Sequence, residues 1–284
     1  MTIQTIGVVG CGLMGSGIVE VAAKSGFDVI VGEFNEDFLN AGMARIEKSV
    51  GRAVKRGKVS AEDAATMQSR ISGTTDLADF APADLAIEAI TENLDIKQSI
   101  FRILDEVLQS EVIIASNTSS ISIAALAAVT SRADKILGMH FFNPVPVMPL
   151  LELVCGILTS DETMAVAQDI GKQLGKTIVV AKDSPGFIVN RLLIPFLIDA
   201  IRVYEAGLAS REDIDTAIKL GLNHPMGPLT LADFVGLDTT LAVADVLYNE
   251  YGDPRFKAPP LLRQMVAAGL LGRKSSRGFY DYGK

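Results

Sequence analysis

Cysteine, histidine and tryptophan are scarce in this 284-residue sequence. It has two cysteines, two histidines and no tryptophan. Two cysteines, Cys11 and Cys155, cannot build a disulfide framework, so the sequence predicts a reduced chain in the cytoplasm. His224 lies in a turn-rich segment with no acid nearby, and no group of residues has the spacing of metal ligands, so no metal site is predicted.

An excess of positive charge is also absent, because the formal net charge is -8. We therefore expect neither nucleic acid nor an anionic membrane as the main partner. The N-terminus runs from Met1 directly into an apolar segment without a basic region, which predicts no targeting segment. The most apolar stretch, residues 187–201, contains Asn190, Arg191, Pro195 and Asp199 and is predicted to form a buried helix instead of a membrane span.

Strand and helix patterns alternate over the first 182 residues, which predicts a doubly wound, mostly parallel sheet. We expect strands at residues 3–9, 28–33, 84–89, 112–115, 135–140, 150–154 and 177–181. We expect helices at residues 14–25, 35–58, 94–109 and 161–174, and a polar helical insertion over about residues 35–70, in which Ser60 begins a second helix.

The pattern changes after residue 183, because only helical periodicity and turn signals follow. We therefore predict two domains: residues 1–183 for dinucleotide binding and residues 184–284 for an all-helical domain. The long apolar helices of the second domain would be covered by a second copy of the chain, which predicts a homodimer.

A glycine-rich loop follows the first predicted strand and opens the first helix. In such a loop Gly10 permits the tight turn, Gly12 lets the backbone approach a pyrophosphate, and Gly15 permits close packing of helix on strand. The loop consists of Gly10, Cys11, Gly12, Leu13, Met14 and Gly15. Glu33, at the end of the second strand, can accept hydrogen bonds from adenosine ribose hydroxyls and would repel a 2′-phosphate, which favours NAD over NADP.

Polar side chains follow two later strands. Asn117, Thr118, Ser119 and Ser120 end one of them, and His140 ends the next. Ligands of open α/β sheets bind at the carboxyl ends of the strands, so His140 is a candidate general base. Taken alone, a histidine among apolar residues is more often a hydrogen-bonded core residue.

One further acid, Glu152, and one amide, Asn190, need hydrogen-bond partners if they are buried. Glu152 lies within an apolar strand and would pair with an imidazole if it is buried, whereas at a sheet edge it would be solvated. Asn190 stands in an apolar helix start and would be satisfied by a cleft between the domains. In the insertion, Lys48, Arg52, Lys55 and Arg56 recur at helical spacing; this stripe is either a solvated charged face or a site for a phosphorylated ligand.

Several long segments together resemble the 3-hydroxyacyl-CoA dehydrogenase family, and within it the members that act on short acyl chains. The segments are residues 115–120, 140–144, 183–191, 223–228, 272–274 and 278–280. The resemblance covers essentially the whole chain. It implies a Rossmann-type domain, a helical dimerisation domain, catalysis in the cleft between them, and NAD-dependent interconversion of a (3S)-3-hydroxyacyl-CoA, such as 3-hydroxybutyryl-CoA, and its 3-oxoacyl-CoA.

The same resemblance implies roles for individual residues. His140 would be the catalytic base and Glu152 its partner, with Ser119 and Asn190 around the reacting oxygen. Glu92, Lys97, Asn117, Asn143 and Lys274 would contact the cofactor beside Glu33 and the glycine loop, and Ser49, Arg56 and Ser119 would contact coenzyme A. Glu33 stands where aspartate is usual and Arg56 where lysine is usual, and both keep the charge.

Two other functions remain open at this point. One is a dehydrogenase of a free 3-hydroxy acid, which would reduce acetoacetate but not its CoA thioester. The other is a non-catalytic NAD-binding protein on the same fold, since a fold does not dictate a function.

Overall fold

The computed structural model describes residues 3–283, which form two compact units. The division between the units lies between Ser184 and Pro185. It is one residue beyond the boundary that the change of pattern predicts. Each unit has its own apolar core, so each is described separately.

The first unit is built on one eight-stranded sheet. The strands run in the order β3-β2-β1-β4-β5-β6-β7-β8. Their bounds are β1 Thr5–Val9, β2 Asp28–Gly32, β3 Ile71–Thr74, β4 Leu85–Glu88, β5 Ile113–Ser116, β6 Ile136–Phe141, β7 Leu150–Cys155 and β8 Thr177–Lys182. Buried Val, Ile and Leu side chains fill the central strands, as expected for a sheet covered on both faces.

All neighbouring strands pair in parallel except β6 and β7, which are antiparallel. The carboxyl ends of β1, β4, β5 and β6 therefore meet at one edge of the sheet. The prediction of a doubly wound, mostly parallel sheet is confirmed.

Six α-helices connect these strands. They are α1 Leu13–Lys24, α2 Glu36–Lys55, α3 Ala61–Ser69, α4 Leu94–Val107, α5 Ile123–Ala127 and α6 Asp161–Gln173. Most begin at a side chain that accepts a hydrogen bond from the first turn, as Asn35 does from the Phe38 amide and Ser60 from the Asp63 amide. Such caps satisfy amides that have no partner within the helix, and they explain why the sequence places these starts well.

Two elements of this unit are missing from the sequence-based prediction. Strand β3 has the sequence Ile-Ser-Gly-Thr and lies at the edge of the sheet beside β2, so it carries no apolar run. Helix α5 is five residues long, which is too short to show a period of 3.6.

The second unit is helical, as predicted. Its α-helices are α7 Val189–Glu205, α8 Arg211–Gly221, α9 Pro228–Val235, α10 Leu237–Tyr251 and α11 Pro260–Ala267. We expected the helix in residues 187–201 to be buried. In this unit α7 buries Ile194, Leu197 and Ile198, but Leu192 is 69% exposed. Over residues 3–283, no helix has both the length and the apolar character needed to cross a bilayer.

Candidate active site

Four strand ends carry the predicted site residues of the first unit. The glycine loop follows β1, and Glu92 lies four residues after β4. Ser119 follows β5 and His140 is the penultimate residue of β6. Since these four strands are parallel neighbours, the fold brings residues that are far apart in sequence to one edge.

The glycine loop has the shape that a pyrophosphate requires. Gly10 has φ +94°, and a Cβ there would stand 2.8 Å from the Ala89 carbonyl oxygen. A Cβ at Gly15 would overlap the Gly10 carbonyl oxygen, whereas a Cβ at Gly12 would point into open space. No side chain caps the N-terminus of α1. The amides at this helix end and the space above Gly12 therefore fit an anionic group.

Glu33 lies against this loop. One of its carboxylate oxygens, Oε1, accepts a hydrogen bond from the Cys11 amide at 2.5 Å, and Oε2 accepts one from the Phe34 amide at 3.2 Å. The Arg45 guanidinium donates to the Cys11 carbonyl oxygen at 2.8 Å. Burial and the Glu33 charge, opposed in part by Arg45, raise the pKa of the Cys11 thiol to about 12, so this cysteine is a neutral part of the loop.

His140 and Glu152 form a buried pair. They stand directly opposite each other in the antiparallel register of β6 and β7, which explains how residues 12 positions apart meet. Nδ1 of His140 lies 2.7 Å from Oε2 of Glu152, and the Glu152 side chain is fully buried. The ring of His140 also packs against Phe142 at 4.5 Å between centroids. A buried carboxylate on Nδ1 fixes the orientation of the imidazole and stabilises its protonated form.

The segment after β5 is tied to the end of β6. Oδ1 of Asn117 accepts a hydrogen bond from the Phe141 amide at 2.9 Å, next to His140. Asn117 thus joins two strand ends; cofactor contact, which the sequence predicts for it, is a separate role that stays a prediction.

The Glu92 carboxylate accepts hydrogen bonds from hydroxyls and amides of residues 118–120. Its Oε1 lies within hydrogen-bond distance of five donors: Thr118 Oγ1, the Ser119 amide and Oγ, and the Ser120 amide and Oγ. Burial works to raise the pKa of Glu92, but the charge of Lys97 and these hydrogen bonds outweigh it, so the pKa lies below its usual range. Glu92 is therefore an ionised acceptor beside Ser119.

Lys97 is 1% exposed and is held between two carboxylates. Its Nζ lies 2.6 Å from Oε1 of Glu88 and 3.5 Å from Oε2 of Glu92. In the structure Lys97 is the buried cation between these two carboxylates, and its contact with the cofactor, which the family resemblance implies, stays a prediction. Glu88 is a residue that sequence reasoning missed, although an acid at the end of an apolar strand signals a need for a partner.

A cavity of about 600 Å³ lies beside α1 and α2 in the same unit. Five cationic side chains and one carboxylate are among its lining residues: Lys24, Arg52, Arg56, Lys58, Lys176 and Glu20. Ser49 lines it too, as do the apolar residues of the 144–149 loop. Lys48 and Lys55, which the helical stripe also contains, are exposed and do not line the cavity. Cationic side chains therefore outnumber carboxylates by five to one in this cavity of an acidic protein.

Lys176 shapes one wall of this cavity. Its Nζ donates to the carbonyl oxygens of Val145 at 2.5 Å and Met148 at 2.8 Å. Burial, with a smaller contribution from Lys24, lowers the pKa of Lys176. The side chain therefore holds the loop that follows the His140 strand, so the strand end and the pocket wall are one connected structure.

Two family models match the chain in succession. The model for the NAD-binding domain of 3-hydroxyacyl-CoA dehydrogenase matches residues 5–184, and the model for the C-terminal domain of the same enzyme matches residues 186–282. The chain belongs to the 3-hydroxyacyl-CoA dehydrogenase family. The resemblance inferred from the sequence motifs is thereby confirmed.

Relatives in this family match over nearly their full length. A probable 3-hydroxybutyryl-CoA dehydrogenase of Deinococcus radiodurans is 51% identical, with 97% of this chain and 99% of the relative covered. A 3-hydroxybutyryl-CoA dehydrogenase of Clostridioides difficile is 46% identical, with 98% and 99% covered. The crystal structure of (S)-3-hydroxybutyryl-CoA dehydrogenase PaaH1 from Ralstonia eutropha superimposes with a TM-score of 0.95 at 50% identity, and both chains are covered completely.

Three further residues have roles that only the family resemblance gives. Asn143 is exposed and directly follows β6 by two residues. Asn190, in the first turn of α7, and Lys274 both belong to the second unit. Lys274 forms an ion pair with Asp238. The roles of all three in this dehydrogenase family member remain predictions.

Proposed function

We propose that this protein catalyses the NAD-dependent, reversible oxidation of a (3S)-3-hydroxyacyl-CoA to the 3-oxoacyl-CoA, with 3-hydroxybutyryl-CoA and acetoacetyl-CoA as the working pair. The observation that carries the proposal is the buried His140–Glu152 pair at the edge where the glycine loop also lies. A buried acid next to an imidazole is the arrangement of a general base that must hold a proton during the reaction. The three 3-hydroxybutyryl-CoA dehydrogenases described above support the choice of acyl chain.

The residues of the chain divide the proton chemistry among them. Because Nδ1 of His140 faces Glu152, the substrate proton is exchanged at Nε2. In the oxidative direction His140 removes the 3-hydroxyl proton while Glu152 stabilises the imidazolium; in the reductive direction His140 returns the proton to the forming alkoxide. Ser119 and Asn190 would hydrogen-bond the reacting oxygen.

Bound NAD supplies the acceptor for the hydride that leaves C3. The residues that would hold it fit such a ligand: the open space above Gly12, the uncapped start of α1 and the Glu33 carboxylate at the loop. Glu92, Lys97, Asn117, Asn143 and Lys274 would complete the site.

The cationic cavity supports a CoA thioester over a free 3-hydroxy acid. A four-carbon acid carries one negative charge, so it would fill little of a cavity of about 600 Å³ and would leave most of its five cationic side chains without an anionic partner. The phosphates of coenzyme A match both the charge and the volume. We assign Ser49 and Arg56 to coenzyme A on this basis, with Ser119 at the thioester end.

The test is oxidation of NADH by acetoacetyl-CoA and, in parallel, by acetoacetate. We expect turnover with the thioester alone. His140→Gln should lower kcat by about 10³-fold, because a positioned base contributes about 10²–10⁴ in rate. His224→Gln is the matched control, since His224 is exposed and packs only against Phe196 among the ring contacts described. Equal rates for His140→Gln and wild type would contradict the role of His140 as the base. Turnover of acetoacetate but not of acetoacetyl-CoA would show that the substrate is a free 3-hydroxy acid.

We also propose that the protein is a homodimer formed through its helical unit and works in the cytoplasm. Large apolar side chains are exposed on this unit, including Leu192, Leu220 and Leu222. A second copy of the chain would cover them, as closed symmetric interfaces do. The two unpaired cysteines support a reducing compartment.

A further inference from the structure

Glu88 is a fully buried acid at the end of β4 for which the proposed chemistry has no use. Its Oε1 accepts hydrogen bonds from the Ile90 amide at 2.7 Å and from Lys97 Nζ at 2.6 Å. Its Oε2 accepts one from Ser116 Oγ at 2.7 Å. Every oxygen of the carboxylate is thus engaged, and its charge is neutralised by a lysine that is itself 1% exposed.

This buried pair continues to the reacting end of the site. Lys97 reaches Oε2 of Glu92, and Oε1 of Glu92 accepts from the segment that contains Ser119. On the other side, Ser116 Oγ accepts a hydrogen bond from the Thr118 amide at 3.1 Å. Glu88 therefore holds both ends of the segment: one through Ser116, the other through Lys97 and Glu92.

More donors surround Oε1 of Glu92 than this oxygen can accept hydrogen bonds from at one time. A carboxylate oxygen has two lone-pair directions, whereas five donors lie around Oε1. The Thr118 hydroxyl is nearest at 2.7 Å, and the Ser119 hydroxyl is among the farthest at 3.2 Å. Ser119 can therefore turn its proton from Glu92 toward a substrate oxygen while the other donors keep Glu92 satisfied.

We propose that Glu88 is a positioning residue, which acts through Lys97 and Glu92 to hold the Ser119 hydroxyl ready to donate to the reacting oxygen. Without the Glu88 charge, Lys97 would be drawn wholly to Glu92, and the hydrogen bonds from residues 118–120 would rearrange. The inference rests on the proposed function, because it assigns Ser119 to the reacting oxygen.

A purely structural role is the alternative, and the same unit contains an ion pair for comparison. Arg132 is 5% exposed and pairs with Asp105 at 2.7 Å. It also donates to main-chain oxygens of Gln109, Val112, Asp105 and Leu108, and so ties the end of α4 to the start of β5. Within residues 3–283, Asp105 also accepts hydrogen bonds from Ser131, and no hydrogen bond of this pair leads to Ser119. Breaking it removes a comparable buried charge interaction without reaching the site.

The test is a double-mutant cycle of Glu88→Gln and Ser119→Ala, with kcat measured for acetoacetyl-CoA reduction at saturating substrate and NADH. We expect Glu88→Gln alone to lower kcat by about 30-fold, within the range for a misplaced catalytic group, with little change in the KM for the thioester. In the Ser119→Ala background the same substitution should cost less than about threefold, because residues that act as one unit are not additive. Asp105→Asn, the control, should lower the melting temperature and leave kcat unchanged.

The double-mutant cycle distinguishes a positioning role of Glu88 from a purely structural one. Additive losses in the cycle would overturn the proposal and leave Glu88 a structural residue. If Glu88→Gln does not fold, as judged by circular dichroism, the cycle is run with Glu88→Asp, which keeps the charge but shortens its reach; the same coupling with a smaller loss is then expected, and additivity again overturns the proposal. Absence of turnover by the wild-type protein would contradict the proposed function, which the first measurement shows separately.

Discussion

At the scale of single residues, Glu33 combines two jobs that the sequence shows only in part. Its position after the second strand predicts a partner for ribose hydroxyls. The structure adds that its carboxylate also accepts the Cys11 and Phe34 amides, so the side chain is fixed at the loop. A fixed carboxylate repels a 2′-phosphate more effectively than a mobile one, because it cannot turn away without losing these hydrogen bonds.

We therefore expect Glu33→Gln to reduce the preference for NADH over NADPH by at least about tenfold, which corresponds to about 1.4 kcal/mol of charge repulsion. The measurement is the ratio of kcat/KM for the two cofactors in acetoacetyl-CoA reduction. Glu36→Gln removes the same charge from an exposed position in the first turn of α2 and should leave the ratio unchanged. An unchanged ratio in Glu33→Gln would mean that other groups exclude the phosphate.

The residue scale also shows what the sequence could not predict. His140 and Glu152 were predictable as a pair, because a lone acid in an apolar strand needs a partner. Their register required the antiparallel turn from β6 to β7, which no local pattern signals. Lys97 has ordinary helix neighbours in the sequence, and only the parallel pairing of β4 and β5 reveals that Glu88 and Ser116 are side by side.

At the scale of elements, α2 and its C-terminal cap supply two of the five cations of the pocket. Helical spacing predicts one stripe of four positive charges, but the helix ends at Lys55, so Arg56 lies at its C-terminal cap. Only Arg52 and Arg56 of the stripe line the cavity. The remaining cations, Lys24, Lys58 and Lys176, come from the end of α1, the segment between α2 and α3, and the turn before β8, which a period along one helix cannot reveal.

Because Arg56 is an exposed cation of this pocket, we expect Arg56→Gln to raise the KM for acetoacetyl-CoA by about 3- to 30-fold with little change in kcat, as loss of ground-state binding does. The effect should shrink as ionic strength rises. With an acetoacetyl thioester of N-acetylcysteamine, which lacks all the phosphates, Arg56→Gln should match wild type.

Arg102→Gln is the matched control for this prediction, since Arg102 is exposed on α4 and does not line the cavity. It should leave the KM for both thioesters unchanged. An equal rise of KM for the truncated thioester in Arg56→Gln would show that Arg56 does not recognise phosphate.

At the scale of the whole molecule, the helical unit exposes several large apolar side chains outside its own core. We call Leu192, Phe196, Leu220 and Leu222 the apolar face. Phe196 packs on the His224 ring at 5.4 Å between centroids, which joins α7 to the segment that contains Leu222. Leu220 and Leu222 are 80% and 58% exposed. Large apolar side chains exposed on one unit indicate an interaction surface.

If a second copy covers the apolar face, light scattering at micromolar concentration should give twice the chain mass of 30.2 kDa. Leu192→Lys and Leu222→Lys should each shift the mass toward one chain, because a buried lysine without a partner opposes association. Ile157→Lys is the control: Ile157 is 85% exposed in the first unit, and the substitution should leave the mass unchanged.

Because a dimer stabilises its folded subunits by mass action, the melting temperature of the wild type should rise with protein concentration, whereas that of the two variants should not. A wild type that stays at the mass of one chain would contradict the dimer, and variants that remain dimeric would place the interface on another face of the helical unit.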